Sequence, residues 1–260
     1  MIALAIGDIV GRPGRRVLSS LLPEVVREFG VDFVVANAEN SAGGVGITPE
    51  IGAEILGRGV DILTMGNHAW GKKDAYEYLD AEPRVVRPAN YPEGAPGRGF
   101  SVVRSRSGLP VGVLNLGGRV FFATDLDCPF RTASKAVDEM RTATRIILVD
   151  FHAEATSEKI ALGYHLDGRA SAVFGTHTHV QTSDARVLPG GTAYITDLGM
   201  TGPVDSVIGI RKEIVLERFL TQLPSRFEVA SGPACLSGAV FDIDEATGRA
   251  RSVRAVQVTE

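Results

Sequence analysis

Five short apolar runs, each ending at a polar residue able to bind a cation, constrain this chain more than any other feature. The run 2–6 leads through Gly7 to Asp8, the run 33–36 leads to Glu39 and Asn40, and the run 62–65 leads through Gly66 to Asn67 and His68. Further on, 146–151 ends at His152, and 172–176 ends at His177 and His179. Unbroken apolar runs of this length read as strands buried on both faces, and the amphipathic stretches between them read as helices that cover those faces. Layered α/β architecture follows.

The spacing predicts a helix from Pro13 to about Phe29, stopped by Gly30, and another from the Thr48–Pro49 cap to about Arg58, so the chain opens β-α-β-α-β. Helices near 73–79, 132–141 and 156–164 and strands near 85, 100–103, 111–116, 146–149 and 172–174 continue the alternation. After Leu188 the texture turns to Gly-rich loops, one helix over 209–220, and period-two runs at 236–243 and 253–258 that read as half-exposed antiparallel strands. The last third is therefore expected to form a second sheet. With no repeat, low-complexity tract or linker, residues 1–260 are expected to form a single domain.

Composition narrows the function. Lys and Arg number 27 against 31 Asp and Glu, a net charge of −4, so the chain lacks the basic footprint that grips long nucleic acid. A short nucleotide is not excluded. Cys128 and Cys235 fit neither a disulfide framework nor a metal pair and read as buried thiols. The start carries no basic flank, and no apolar run approaches the ~20 residues that span a bilayer, so the expectation is a cytoplasmic protein without a membrane partner.

In open α/β sheets, ligands bind beyond the carboxyl ends of the strands, so polar groups spread over 170 residues of sequence can converge there. Four of the five histidines stand at such strand ends. With Asp8, Glu39, Asn40 and Asn67 they offer too many donors for one tetrahedral zinc and about enough for two ions. Oxygen and imidazole donors without thiolate favour Mn, Fe or Zn. Two ions about 3.5–4 Å apart acidify a bridging water and clamp an in-line displacement at phosphorus. Asp8 and Glu39 leave such a site electropositive, which attracts a phosphate. Phosphoester hydrolysis is the natural chemistry of such a centre.

These motifs carry a resemblance. Gly7-Asp8-Ile9-Val10-Gly11-Arg12-Pro13-Gly14, Asn37-Ala38-Glu39-Asn40, Gly66-Asn67-His68-Ala69-Trp70, Asp150-Phe151-His152 and Gly175-Thr176-His177-Thr178-His179 resemble, in order, the YmdB-like branch of the calcineurin-like metallophosphoesterases. The resemblance implies a four-layer α/β/β/α sandwich of two mixed sheets flanked by helices, a dinuclear Fe or Mn centre, and phosphodiesterase activity on small cyclic nucleotides, 2',3'-cyclic ahead of 3',5'-cyclic. It assigns Asp8, Glu39, Asn40 and His179 to one ion and Glu39, Asn67, His152 and His177 to the other, with Glu39 as bridge and His68 as general acid. Where the broader superfamily has Asp-x-His and a bridging Asp, this chain has Val10 after Asp8-Ile9, with Asn40 as the replacing donor, and Glu39.

Other readings stand beside this one. A phosphomonoesterase or nuclease would use the same centre, and a regulatory module would hold nucleotide or RNA without turnover; a homo-oligomer is compatible with all three. A base deaminase is ruled out because Gly238 occupies the place of its second cysteine. The 11–14 loop reads as turn and helix start, the 43–46 loop as a turn, and Lys72, Arg211 and His165 as surface residues. Trp70 suits stacking on a base and packing equally.

Overall fold

The computed structural model describes residues 1–122 and 124–260. Its first sheet is built around β1 (Ile2–Ile6), which pairs in parallel with β3 (Phe33–Asn37), followed in parallel by β4 (Ile62–Thr64) and β5 (Val85–Val86). The second contains β6 (Phe100–Arg104), β7 (Pro110–Gly117), β8 (Ile146–His152), β9 (Ala172–Thr176), β10 (Arg186–Val187) and β11 (Ala193–Ile195), in the order β10-β11-β9-β8-β7-β6. Strands β7, β8, β9 and β11 run parallel and the two edges antiparallel, so this sheet is mixed, and the first is mixed too, because β1 pairs antiparallel with residues 238–242.

Three apolar layers define four structural ones. Leu4, Ile6, Val34, Ala36 and Leu63 pack outward against Leu18, Leu22 and Val25 of α1 (Gly11–Phe29) and Ile55 of α2 (Pro49–Gly57). The alternate residues Ala3, Ala5, Phe33, Val35 and Ile62 face Val111, Val113, Leu148, Phe174 and Ile195 of the other sheet. Behind that sheet, Leu114, Leu116, Ile147 and Val149 meet Ala133, Val137 and Met140 of α4 (Pro129–Met140) and Leu162 of α5 (Thr156–His165). Each fully buried Leu or Val contributes about 1.5–3 kcal/mol. The expected α/β/β/α sandwich is observed, and the period of two explains why these strands lack polar alternation: both faces are covered.

Local signals set the helix ends. Thr48 accepts from the Ile51 amide at 3.3 Å with Pro49 in the first turn, and α1 ends at Gly30 in the left-handed region (φ 63°). That helix starts two residues before Pro13, because Gly11, at φ +56°, makes the turn and donates to Asn40 O at 2.9 Å. A short α3 (Ala75–Ala81) follows β4.

The C-terminal third departs from expectation. Its long strands form no sheet of their own: β13 (Ala234–Ile243) inserts antiparallel beside β1, with β14 (Ala250–Thr259) on its other edge, and only the short β11 joins the second sheet. Flanked on both edges and covered on both faces, β13 is buried almost throughout, not half-exposed; of the two strands only β14 stays largely exposed or half-buried. The Gly-rich stretch conceals β11 and β12 (Met200–Pro203), and β12 pairs with a short β2 (Asp8–Ile9). Left-handed turns at Ile208 and Gly209 delay the last helix, α6, to Lys212–Thr221. Cys235 is buried, whereas Cys128 is half-exposed, immediately before α4. Among the described residues no helix is long and apolar enough to cross a membrane.

Candidate metal centre

Parallel pairing puts the carboxyl ends of β1, β3 and β4 on one side, and those of β8 and β9 meet them across the inter-sheet layer. The eight residues singled out from sequence come together there. His152 Nε2 lies 3.1 Å from Glu39 Oε1, 3.0 Å from Asn67 Oδ1 and 3.0 Å from His177 Nδ1. Beside this group, His179 Nε2 lies 3.3 Å from Asn40 Oδ1 and 3.7 Å from Asp8 Oδ1. Glu39 sits between the groups and also accepts from the His68 backbone amide at 3.0 Å, with His68 Nδ1 3.3 Å from Oε1. Asp8, Glu39 and His152 are almost fully buried, while His68 is over a third exposed.

Two histidines reach their places by a backbone device that extended geometry does not foresee. His177 and His179 both take positive φ, 96° and 66°, so they leave β9 in a turn and diverge toward different partners instead of sharing one direction. Left-handed non-glycine residues cost on the order of 1–3 kcal/mol each and persist only where their surroundings hold them. Here Asp8 Oδ2 accepts from the His177 amide at 3.2 Å. The buried Asp197 carboxylate accepts from Thr178 Oγ1 at 2.7 Å, the Gly199 amide at 2.8 Å and Lys159 Nζ at 2.7 Å. Lys159 reaches it from α5 and is itself only 2% exposed. Lys159 lies in the helix expected over 156–164, whereas Asp197 lies in the Gly-rich stretch that reads as loop in sequence.

The outer nitrogen of each imidazole has an acceptor of its own. His152 Nδ1 meets Thr176 Oγ1 at 2.9 Å, and that hydroxyl donates to Asp150 Oδ1 at 2.8 Å. His179 Nδ1 donates to Ile208 O at 2.9 Å, and His177 Nε2 lies 3.2 Å from the Glu154 carboxylate. With its proton fixed outward, each of these rings, once neutral, turns a lone pair inward, the arrangement in which imidazole binds a cation. Asn37 supports the same floor, donating to Asp150 Oδ2 and Met65 O, both at 3.1 Å. Asp150, Thr176, Asn37 and Glu154 were not singled out from sequence; their signal was adjacency to the donors.

Charge at the centre is unbalanced. Burial pushes the Asp8 carboxyl up, against the pull of His179 and His152. For Glu39 burial also acts upward, but the neighbouring His152 outweighs it and holds the carboxyl well below its usual range. The same pair, against burial, lifts His152 to about 9. Burial and the His152 charge press His177 down to about 3, and burial raises Asp150 to about 6. The site thus gathers carboxylates and neutral imidazole around one trapped proton.

These residues fit metal ions. Asp8 Oδ1 is buried without a hydrogen-bond partner, a costly state for a carboxylate that a cation relieves. Glu39, His152 and His177 present ligand atoms within 4.8 Å of one another. Gly66 takes no unusual φ; it is needed for room, since a Cβ there would stand 2.3 Å from Glu39 Oε2 and 2.4 Å from His152 Nε2.

The remaining singled-out residues lie elsewhere. Trp70 packs, edge-on to Tyr91 at 4.6 Å, and lines a groove of about 800 Å³ along α3 that contains none of the eight donors. Arg211 is engaged by Glu228 at 2.9 Å, and exposed His165 contacts Ser134 and Phe130 O. A Cβ at Gly14 would strike Thr201 O, so residues 11–14, expected as a loop and helix start and here the first turn of α1, serve packing. The 43–46 loop folds over Glu39 and Asn40, with Asn40 Nδ2 donating to Gly44 O at 3.0 Å.

Comparison with known proteins agrees with this geometry. The family model described as YmdB-like protein matches residues 4–256. The chain is 48% identical over 257 residues to a 2',3'-cyclic-nucleotide 2'-phosphodiesterase of Bacillus subtilis, with 99% of this chain and 97% of that protein covered. Among solved structures, a hypothetical protein from Thermus thermophilus superposes with a TM-score of 0.93 at 43% identity, covering 100% of both chains. A novel phosphatase from Mycoplasma pneumoniae superposes at 0.92 with 32% identity, covering 100% of this chain and 94% of that one.

Proposed function

Because the chain belongs to the YmdB-like family, we propose that it is a metal-dependent phosphodiesterase hydrolysing small cyclic nucleotides, 2',3'-cyclic ahead of 3',5'-cyclic forms. The single observation that carries the reading is the meeting of Asp8, Glu39, Asn40, Asn67, His152, His177 and His179 in one partly buried cluster with an unpartnered carboxylate oxygen.

In this reading Asp8, Glu39, Asn40 and His179 would hold one ion and Glu39, Asn67, His152 and His177 the other, with Glu39 shared between them. Iron or manganese suits the mixed oxygen and imidazole set, with zinc as the alternative. The ions, when bound, supply Lewis acidity and lower the pKa of water. The chain does the rest. Asp150 through Thr176, Ile208 O and Glu154 fix the imidazole tautomers, and the Lys159–Asp197 pair holds the turn that separates His177 from His179. His68 turns Nδ1 to Glu39 and Asn40, leaving Nε2 to protonate the departing ribose oxygen. Donors drawn from residues 8 to 179, with β13 wedged beside β1, support residues 1–260 working as one domain. Free thiols and a centre suited to ferrous iron fit a cytoplasmic setting.

The test is turnover of a panel of cyclic nucleotides, phosphomonoesters and oligonucleotides by anaerobically prepared protein with Mn²⁺ or Fe²⁺. Hydrolysis of the 2',3'-cyclic diesters well above the other classes is expected; monoesters or uncapped oligonucleotides turning over faster would reject the reading.

A second prediction comes from His152. In the metal-free chain this ring holds a proton up to about pH 9, and it would have to give that proton up to serve as a metal ligand. The proton is present on the free side of the equilibrium and absent on the bound side, so raising the pH toward 9 strengthens metal uptake. Calorimetric titration of Mn²⁺ at neutral pH in buffers of different ionisation enthalpy should show about one proton released from this ring. A pH-independent affinity with no proton released would contradict it.

A further inference from the structure

The chain leaves β7 at Gly117 and returns at Asp127 on a protrusion that no motif singled out. Both ends are gripped by one fully buried side chain: Asn90 Nδ2 donates to Gly117 O at 2.8 Å and Asp127 O at 3.0 Å, and its Oδ1 accepts from the Gly117 amide at 2.8 Å. Halfway out, the Glu158 carboxylate at the start of α5 accepts from the Arg119 amide at 3.1 Å and the Val120 amide at 3.3 Å. Phe121 comes next, in the left-handed region at φ 64° and 84% exposed.

A lone exposed apolar side chain is ordinary on a protein surface. This one has a particular place. With Phe122, Thr124, Asn67 and His177 it lines a cavity of about 150 Å³ that opens on two of the proposed metal-binding residues. Phe122 is the wall, its ring 4.9 Å from that of His177 and 6.2 Å from that of His152. Phe121 is the rim. The cavity is well below the ~300–1,000 Å³ of pockets that engulf a whole small-molecule ligand, so a ligand whose phosphate reaches Asn67 and His177 leaves its remainder outside, where the exposed Phe121 stands at the rim. The strained backbone, on the order of 1–3 kcal/mol for a non-glycine residue, is held by Asn90 and Glu158, and the ring it presents has a free face.

We propose that Phe121 is the platform on which the base of the nucleotide stacks, making it a specificity-determining residue that favours base-bearing diesters. The inference rests on the phosphodiesterase reading above. Stacking needs only a π-face, so the platform accepts any base and discriminates against none of the four strongly. It discriminates instead against a substrate without one.

The experiment compares Mn²⁺-loaded wild type, Phe121→Ala and Phe121→Trp on adenosine 2',3'-cyclic phosphate and on methyl riboside 2',3'-cyclic phosphate, which has no base. Phe121→Ala is expected to raise KM for the adenosine substrate about tenfold, within the range that losing one base–aromatic stack produces, with kcat changed by less than about twofold. KM for the baseless diester should stay put, and Phe121→Trp should restore tight binding of the adenosine substrate. An unchanged KM for the adenosine substrate, or an equal loss on both substrates, overturns the platform while leaving the phosphodiesterase reading intact. If the wild type turns over neither diester, the reading itself fails and the platform with it.

Discussion

Replacing Glu39 by Gln is expected to empty both metal sites at once. Glu39 is buried at the junction of the two donor groups, its Oε1 3.1 Å from His152 Nε2 and its Oε2 accepting from the His68 amide. The substitution keeps the shape of the side chain but removes its charge, and turns one oxygen into an amide that can only donate. Loss of a mere supporting partner weakens a metal site about 10–100-fold; loss of a shared anionic ligand should exceed the upper end of that range at each site. Metal analysis after gel filtration should find a stoichiometry well below one ion per chain, with turnover lost in parallel. Retention of two ions by the Gln variant would show that the bridge lies elsewhere. His152 gives an independent readout: without the Glu39 charge that lifts it against burial, its pKa should fall from about 9, visible by NMR of the metal-free protein.

His68→Ala is expected to do the opposite, sparing the metals and removing the chemistry. The His68 side chain is over a third exposed and touches the centre only through Nδ1, toward Glu39 and Asn40, so its removal withdraws no proposed ligand. General-acid catalysis contributes about 10²–10⁴-fold, and kcat for a cyclic nucleotide should fall within that range. The loss depends on the leaving group. A ribose alkoxide is a poor leaving group without a proton, whereas nitrophenolate departs readily without one. A nitrophenyl diester should therefore lose much less rate than the cyclic nucleotide. Equal losses on both substrates would remove His68 from the acid role, and a fall in metal content would make it a ligand.

The two variants separate roles that adjacency in sequence blurs. Asn67 and His68 are neighbours, yet Asn67 turns inward to His152 while His68 turns outward beside Glu39, because the chain leaves β4 through a glycine whose missing Cβ leaves room for both donors beneath it. Likewise His177 and His179, two residues apart, would share one face of a strand. Positive φ at both sends His177 toward His152 and His179 toward Asn40. Supporting residues are harder to read. Asp150 and Thr176 stand inside the motifs with no role that their spacing reveals. Lys159 and Asp197 are less legible still, because a buried ion pair has no local signature: its partners stand 38 residues apart and acquire meaning only when α5 packs on the second sheet.

Alone, the order of residues determined the strand and helix alternation, the placing of polar donors at strand ends, and hence the chemical character of the centre. These are local properties, written in periodicity and in the polar residue that closes each apolar run. Tertiary structure decided which strands share a sheet, and it moved β13 from an imagined second sheet to the middle of the first. It also decided which nitrogen of each histidine faces inward, and what stands at the rim of the site. The physical reason is that strand partners and ligand geometry depend on contacts between residues far apart in the chain, with β13 satisfying the free edge of β1 from more than 230 positions away. No spacing rule encodes such contacts.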